Sequence, residues 1–208
     1  MSELRTQEIT ATELGGRIER LQLALQEKGI DGALIVQKTD LFYFSATSQQ
    51  GYLYVPDVGQ PLLMVFKDFD RARRESPLEQ VVSIGSPRTL PDILASRGLA
   101  SPALLGLELD VLPANIYFQY QSIFDTSELV DVSTEIRLIR AVKSDYEIDC
   151  IKLAARGSDL VCARVGELVA EGKTELELAG ELESYARSLG HQGIVRMRLW
   201  GSELFYGH

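Results

Sequence analysis

VDVSTEIRLIRAVKSDYEIDCI, residues 130–151, is the stretch on which the reading of this chain turns. It begins as the end of a strand, passes through a basic hinge carrying Arg137, Arg140 and Lys143, and opens a long helix. Ser144-Asp145-Tyr146-Glu147 has the form of a capping box. The serine oxygen accepts from the Glu147 N–H, and the Glu147 carboxylate reaches back to the serine N–H. Ile148, Ile151, Ala155, Val161, Val165 and Leu168 then recur close to helical spacing. A helix that long, starting sharply behind a basic hinge, predicts the first wall of a new domain. The stretch therefore divides a complete α/β domain from the beginning of an unfinished one.

Bulk properties set the outer limits. The 208 residues are 45% hydrophobic and 25% charged, an ordinary soluble-globular balance with enough material for a sizeable core. A net charge of -9 argues against a nucleic-acid partner, whose backbone needs clustered Lys and Arg. No apolar run approaches the ~20 residues of a membrane helix. The opening MSELRTQEITATE is polar and acidic, unlike a signal or transit peptide, so no membrane and a cytoplasmic location are expected. Cys150 and Cys162 fall on one predicted helix, roughly 18 Å apart by helical rise and beyond the ~7 Å reach of a disulfide. Both are expected to be buried reduced thiols rather than nucleophiles.

Upstream of the hinge the pattern alternates. Thr10 with Glu13 resembles a capping box, Leu14, Ile18, Leu21 and Leu25 mark one helical face, and Gly29 stands where a C-terminal cap belongs. Residues 33–36 read as a buried strand, and LFYF at 41–44 as a helical turn or a bent strand. Residues 51–55 and 61–66 are strands joined by PDVGQ, whose turn chemistry predicts a hairpin. Helices then alternate with strands at 81–84, 103–108 and 129–132, giving a mixed α/β sheet domain with helices on its faces. Downstream, Gly172 is expected to end the long helix. Thr174 and Glu177 cap a second helix lined by Leu176, Ala179, Leu182, Ala186 and Leu189, and Val195, Met197 and Leu199 alternate as a half-buried strand.

Candidate chemistry in this pattern is sparse. Asp31 and Asp40 stand near strand ends and read as turn formers, since no third acid is placed with them. Tyr43, Tyr52 and Tyr54 read as core. Arg137, Arg140 and Lys143 are expected to make interdomain salt bridges. His191 follows Gly190 at a helix end, where a cap or surface role is expected. Glu171, Glu175, Glu177, Glu181 and Glu183 oppose the apolar stripe as a solvated face. There is no G-x-G-x-x-G, P-loop, H-E-x-x-H or G-x-S-x-G.

Taken in order, several segments resemble the creatinase, prolidase and Xaa-Pro aminopeptidase family. They are RIERLQLALQEKGIDGALIV at 17–36, GQPLLMV at 59–65, LLGLELDVLPANIY at 104–117, LVDVSTEIRLIRAVKSDYEIDCIKLAA at 129–155 and TELELAGELESYARSLG at 174–190. The resemblance implies a flexible tail at 1–11 and a creatinase-type, ribonuclease H-like mixed-sheet domain at 12–133. A linker helix and the first part of a truncated α+β pita-bread catalytic domain follow at 134–208, with an apolar face exposed on 145–200.

In function it implies the N-terminal portion of a metallopeptidase acting on peptides with proline at the second position. Such enzymes are homodimers holding two divalent metals, manganese or cobalt, on two Asp, one His and two Glu. These ligands fall beyond residue 208, so no metal or other cofactor is expected in this chain, and the chain itself is expected to be inactive. The N-terminal domain would shape the active-site entrance and the dimer. Gly201 and His208 match the family's spacing for a histidine that contacts the substrate carbonyl or the oxyanion. The residues around them depart from the family, with Gly-Ser-Glu where an Asn is usual and Tyr-Gly in place of Leu-Pro. Two alternatives stand beside this reading: a non-catalytic pita-bread homologue used as a binding module, and a metal-free creatinase-like amidinohydrolase.

Overall fold

The structure is a computed structural model, and it describes residues 8–99, 101–198, 200 and 203–205. These fall into two compact units. One is Ile9–Val142 together with Arg198 and Trp200; the other is Lys143–Met197 together with Glu8 and Glu203–Phe205.

The first unit is built on a six-stranded mixed sheet. Its strands are β1 (Gly32–Ile35), β2 (Gly51–Pro56), β3 (Leu62–Val65), β4 (Gln80–Ser83), β5 (Leu104–Leu107) and β6 (Glu128–Asp131), in the order β4-β3-β2-β1-β5-β6. β2 runs antiparallel to β1 and β3, while β4, β5 and β6 run parallel to their neighbours. The hairpin β2–β3 is the expected one. Gly51 sits opposite Val65, and a Cβ there would run into the Met64 carbonyl, so close strand approach fixes glycine at this place.

Among the described residues six α-helices belong to this unit: α1 (Ala11–Lys28), α2 (Lys38–Ser45), α3 (Phe69–Glu75), α4 (Leu90–Ser96), α5 (Ala114–Ile123) and α6 (Ser133–Ala141). Alternation along β1 sends Ala33 and Ile35 into a cluster with Leu14, Leu21 and Leu25 of α1 and Ile136 of α6. Leu34 goes to the opposite cluster, with Leu94 of α4 and Tyr120 of α5. The result is a three-layer α/β/α sandwich in which each fully buried Leu contributes on the order of 2 kcal/mol.

Local signals explain the boundaries. Thr10 Oγ1 accepts from the Glu13 N–H at 3.1 Å, and the Glu13 carboxylate meets Arg17 at 3.0 Å. Gly29, at φ 66°, closes α1 in the left-handed region that a Cβ would disfavour. LFYF is helical, the middle of α2. Leu41, Tyr43 and Phe44 are all buried, so this helix lacks the two-sided character by which periodicity would have declared it.

The second unit consists of α7 (Asp145–Leu168), α8 (Glu175–Ser188) and a hairpin of β7 (Ile194–Arg196) with β8 (Glu203–Phe205). Both helices begin with complete capping boxes, on Ser144 and Thr174. α7 ends at Leu168, before Gly172, because its cap is the extended Val169; Gly172, at φ 86°, lies in the loop that follows. No residue of α7 is buried, and Ile151, Leu160, Val169 and Leu176 are all exposed. Leu176 is therefore not part of an apolar stripe, and at position two of α8 it faces solvent. The strand expected through Leu199 is shorter, ending at Arg196. Among the described residues no helix is long and apolar enough to cross a membrane.

Candidate functional site

Strands β1 and β5 are parallel neighbours, so their carboxyl ends emerge side by side, the position where open α/β sheets assemble sites. The chain leaving β1 enters α2 through Gln37. The Gln37 Oε1 accepts from the N–H groups of Thr39 and Asp40 at 2.7 and 2.9 Å. That cap brings Asp40 inward, to 0% exposure. The chain leaving β5 carries Glu108, also at 0% exposure, whose Oε2 accepts from the N–H groups of Val36 and Gln37 at 2.7 and 2.9 Å. Two carboxyl groups are thus buried together at one sheet end.

Arginines converge on the outer carboxyl. Arg140 of α6 pairs with Asp40 Oδ1, while the Nε of Arg198 donates to Oδ2 at 2.6 Å. Arg198 also bonds Asp110, and Arg137 stands 4.0 Å from the same Asp110. Arg17 and Arg140 lie on the Tyr43 ring, at 4.2 and 5.4 Å from its centroid, and Arg17 Nη1 donates to the Tyr43 carbonyl at 2.9 Å. Deeper in, Tyr120 and Tyr52 meet edge to face, their ring centroids 6.1 Å apart.

The electrostatics follow from burial and pairing. Burial, then the charge and hydrogen bond of Asp40, hold Glu108 well above the usual carboxyl range, against the pull of its two backbone donors. Burial also acts to raise Asp110. The hydrogen bonds from Arg198 and Ser133, with the charges of Arg198 and Arg137, outweigh it and leave Asp110 below its usual range. Burial would lower Arg198, but Asp110 and Asp40 raise it. Tyr120 is pushed up by burial, by Tyr52 and by Glu108.

The sequence-derived candidates fare unevenly. Tyr43, Tyr52 and Tyr54 are core, as expected. Asp31 is a turn residue, its Oδ2 accepting from the N–H groups of Ala103 and Leu104 at 2.6 and 2.8 Å. Asp40 is not a turn former; it is the buried acceptor of two guanidinium groups. The salt bridges of Arg137 to Asp110 and of Arg140 to Asp40 lie inside the first unit. Glu108 and Arg198 carry no sequence signal for these roles, because their partners lie far off in the chain. His191 serves the turn after α8, its Nδ1 accepting from the Gly193 N–H at 2.9 Å. The glutamates of α8 face outward, except that Glu183 is half-buried. Cys150 is half-buried and Cys162 exposed, so the expectation of two buried thiols is corrected; neither is in a disulfide. His208 and Gly201 lie outside the described residues.

A second feature belongs to the other unit, a groove of about 610 Å³ between α7 and α8, lined by Leu153, Val161, Leu189, Cys150 and His191. Its walls are mainly apolar. Among the described residues no group of three or more His, Cys, Asp or Glu side chains could hold a metal ion. The carboxyl–arginine cluster lacks an activated nucleophile. Its chemistry is that of holding charge at a sheet end.

Comparison with known proteins accords with this architecture. Residues 17–142 match the family model of the Creatinase/Prolidase N-terminal domain. An uncharacterized peptidase, YqhT, of Bacillus subtilis is 26% identical over 177 residues, which are 84% of this chain and 49% of that protein. A Xaa-Pro dipeptidase of Pyrococcus furiosus is 27% identical over 169 residues, 80% of this chain and 47% of that protein. The solved structure of a Xaa-Pro dipeptidase from Bacillus anthracis has the same fold, with a TM-score of 0.77 at 24% identity over 88% of this chain and 52% of that one. The chain spans about half the length of the curated relatives it matches. With its six-stranded mixed sheet carrying the matched residues, this chain belongs to the creatinase/prolidase family.

Proposed function

We propose that this chain is the N-terminal portion of a metal-dependent Xaa-Pro dipeptidase or aminopeptidase. On this reading the N-terminal domain shapes the entrance to the active site and contributes to a homodimer in the cytoplasm, and residues 134–208 supply a linker helix and open a pita-bread catalytic domain. The substrate is a peptide with proline in second position. The observation that carries the reading is the coincidence of the family match, residues 17–142, with the independently packed unit Ile9–Val142. The two capped helices of the following unit, with their apolar residues exposed, support it.

The paired manganese or cobalt ions of such an enzyme would activate water and clamp the tetrahedral intermediate. This chain's part is to bound the substrate, with His208 as the residue that contacts the substrate carbonyl. The 208-residue chain alone is expected to be inactive.

The test is to express the encoding reading frame in full and assay Xaa-Pro dipeptides and longer Xaa-Pro peptides with added Mn²⁺ or Co²⁺ and with EDTA. Metal-dependent release of the residue before proline is expected, with none from the 208-residue chain. Creatine turnover that persists in EDTA would instead identify an amidinohydrolase. A full-length protein that folds and hydrolyses neither would leave a binding module.

A further inference from the structure

The carboxyl pair at the ends of β1 and β5 has a feature that the peptidase reading does not use. Glu108 Oε2 is satisfied by two backbone N–H groups, but Oε1 is fully buried, with neither a cation nor an amide on it, and faces the Asp40 carboxyl. Asp40 directs both of its oxygens to guanidinium groups, Oδ1 to Arg140 and Oδ2 to Arg198. The other groups packed around Glu108 are uncharged at neutral pH: Tyr120 from α5, with Tyr52 from β2 behind it. Asp110, on the far side of Arg198, is neutralised by that arginine and by Arg137. Two adjacent buried carboxyls with cations on only one of them cannot both be ionised.

We propose that Glu108 is a neutral carboxylic acid whose Oε1 proton is donated to Asp40, so that the pair carries one negative charge and forms a proton-linked lock. The single charge on Asp40 holds Arg140 and Arg198. The neutral Glu108 fixes the Val36–Gln37 turn without adding a second charge. This would make the sheet end a pH-sensitive element. Loss of the Glu108 proton puts a second charge into the site and loosens the Arg198 stretch and the β1–α2 turn together.

The sign follows from linkage. Between the unfolded glutamate pKa, about 4.3, and the raised folded value, the folded chain holds one more proton than the unfolded chain. Stability is therefore full below that window and falls as pH rises through it. Glu108→Gln keeps the acceptor for Val36 and Gln37 and a donor toward Asp40, but cannot ionise.

Urea unfolding of the 208-residue chain and of Glu108→Gln, in steps from pH 5.5 to 8.5, reads this directly. The ratio of the wild-type to the variant unfolding constant should rise by up to about tenfold per pH unit until Glu108 ionises. A ratio that stays constant across the range overturns the proposal. Asp40→Asn should be the worse-tolerated change, since it takes the counter-charge from both arginines. A chain that tolerates Asp40→Asn and collapses with Glu108→Gln would place the charge on Glu108 and overturn the assignment. Carbon-13 NMR of glutamate carboxyls in the wild-type chain needs no variant. One resonance still protonated at pH 7 is expected, and complete ionisation of every glutamate by pH 5.5 refutes the lock. None of these outcomes depends on peptidase activity.

Discussion

Helices α1 and α7 obey the same local rules and meet opposite fates. Each starts on a hydroxyl side chain that accepts from the N3 backbone N–H, Thr10 in one and Ser144 in the other. Each carries apolar residues at helical spacing. Yet α1 buries Leu14, Ile18, Leu21 and Leu25, whereas α7, at 24 residues against 18, buries none. α1 lies on a six-stranded sheet. The described part of the other unit offers α7 only α8 and two strands of three residues. Caps and periodicity decide that a helix forms; what stands opposite decides whether its apolar face is covered.

The contrast is broken most directly by truncating one apolar residue in each helix. Leu21→Ala removes a fully buried side chain from the α1 face and should cost about 2–5 kcal/mol by cavity formation. Leu160→Ala, at an exposed position of α7, should change stability by no more than about 0.5 kcal/mol. Urea unfolding followed by circular dichroism checks both. Comparable losses would show that the α7 face is covered in solution.

A second difference lies in ionisation. Tyr54 of β2 is 2% exposed, and burial, then the Asp31 and Asp57 carboxylates, push it up to about 12. Tyr146 and Tyr185, on α7 and α8, are only half-buried. The folded chain therefore keeps the Tyr54 proton above pH 10, where the unfolded chain has lost it. The associated stability is present below pH 10 and is lost as pH rises toward 12. Alkaline unfolding of the sheet should fall in that window, and Tyr54→Phe should move its midpoint upward. An unchanged midpoint, measured by tyrosinate absorbance and circular dichroism together, would remove Tyr54 from the account.

What the sequence made legible divides along the same line. Signals confined to a few neighbouring residues were readable: both capping boxes, the Gly29 stop, the β2–β3 hairpin and the α1 stripe. The buried cluster was not. Asp40 meets Arg140 and Arg198 at separations of 100 and 158 residues, and Glu108 meets the Val36 and Gln37 amides across 72 and 71. A charged residue destined for burial looks like any surface charge until its partner is placed. α2 was ambiguous for a related reason. Helices that are covered on several sides lose the alternation of polar and apolar faces on which periodicity depends. Cys150 and Cys162 look like core by residue type, but they stand on a helix that buries none of its residues.

The smallest effect sharpens the comparison furthest, because the same chemical change is made at two equivalent places. Thr10→Ala and Ser144→Ala each delete a hydroxyl acceptor, worth about 1 kcal/mol. The Ser144 change takes the acceptor from the Glu147 N–H, at 3.2 Å, while the Glu147 carboxylate keeps the backbone N–H of residue 144 at 2.9 Å. In α1 the cost is spread over a helix bound to the sheet, so it should appear as a lower urea midpoint for the whole first unit. In α7 the helix packs chiefly on α8 within its unit, so the cost should appear as lost helical ellipticity at low urea, with the sheet's midpoint unmoved. A Ser144→Ala variant that lowers the sheet's midpoint as far as Thr10→Ala does would mean the two units unfold as one cooperative body. The opposition between a covered and an uncovered helix would then be false in solution.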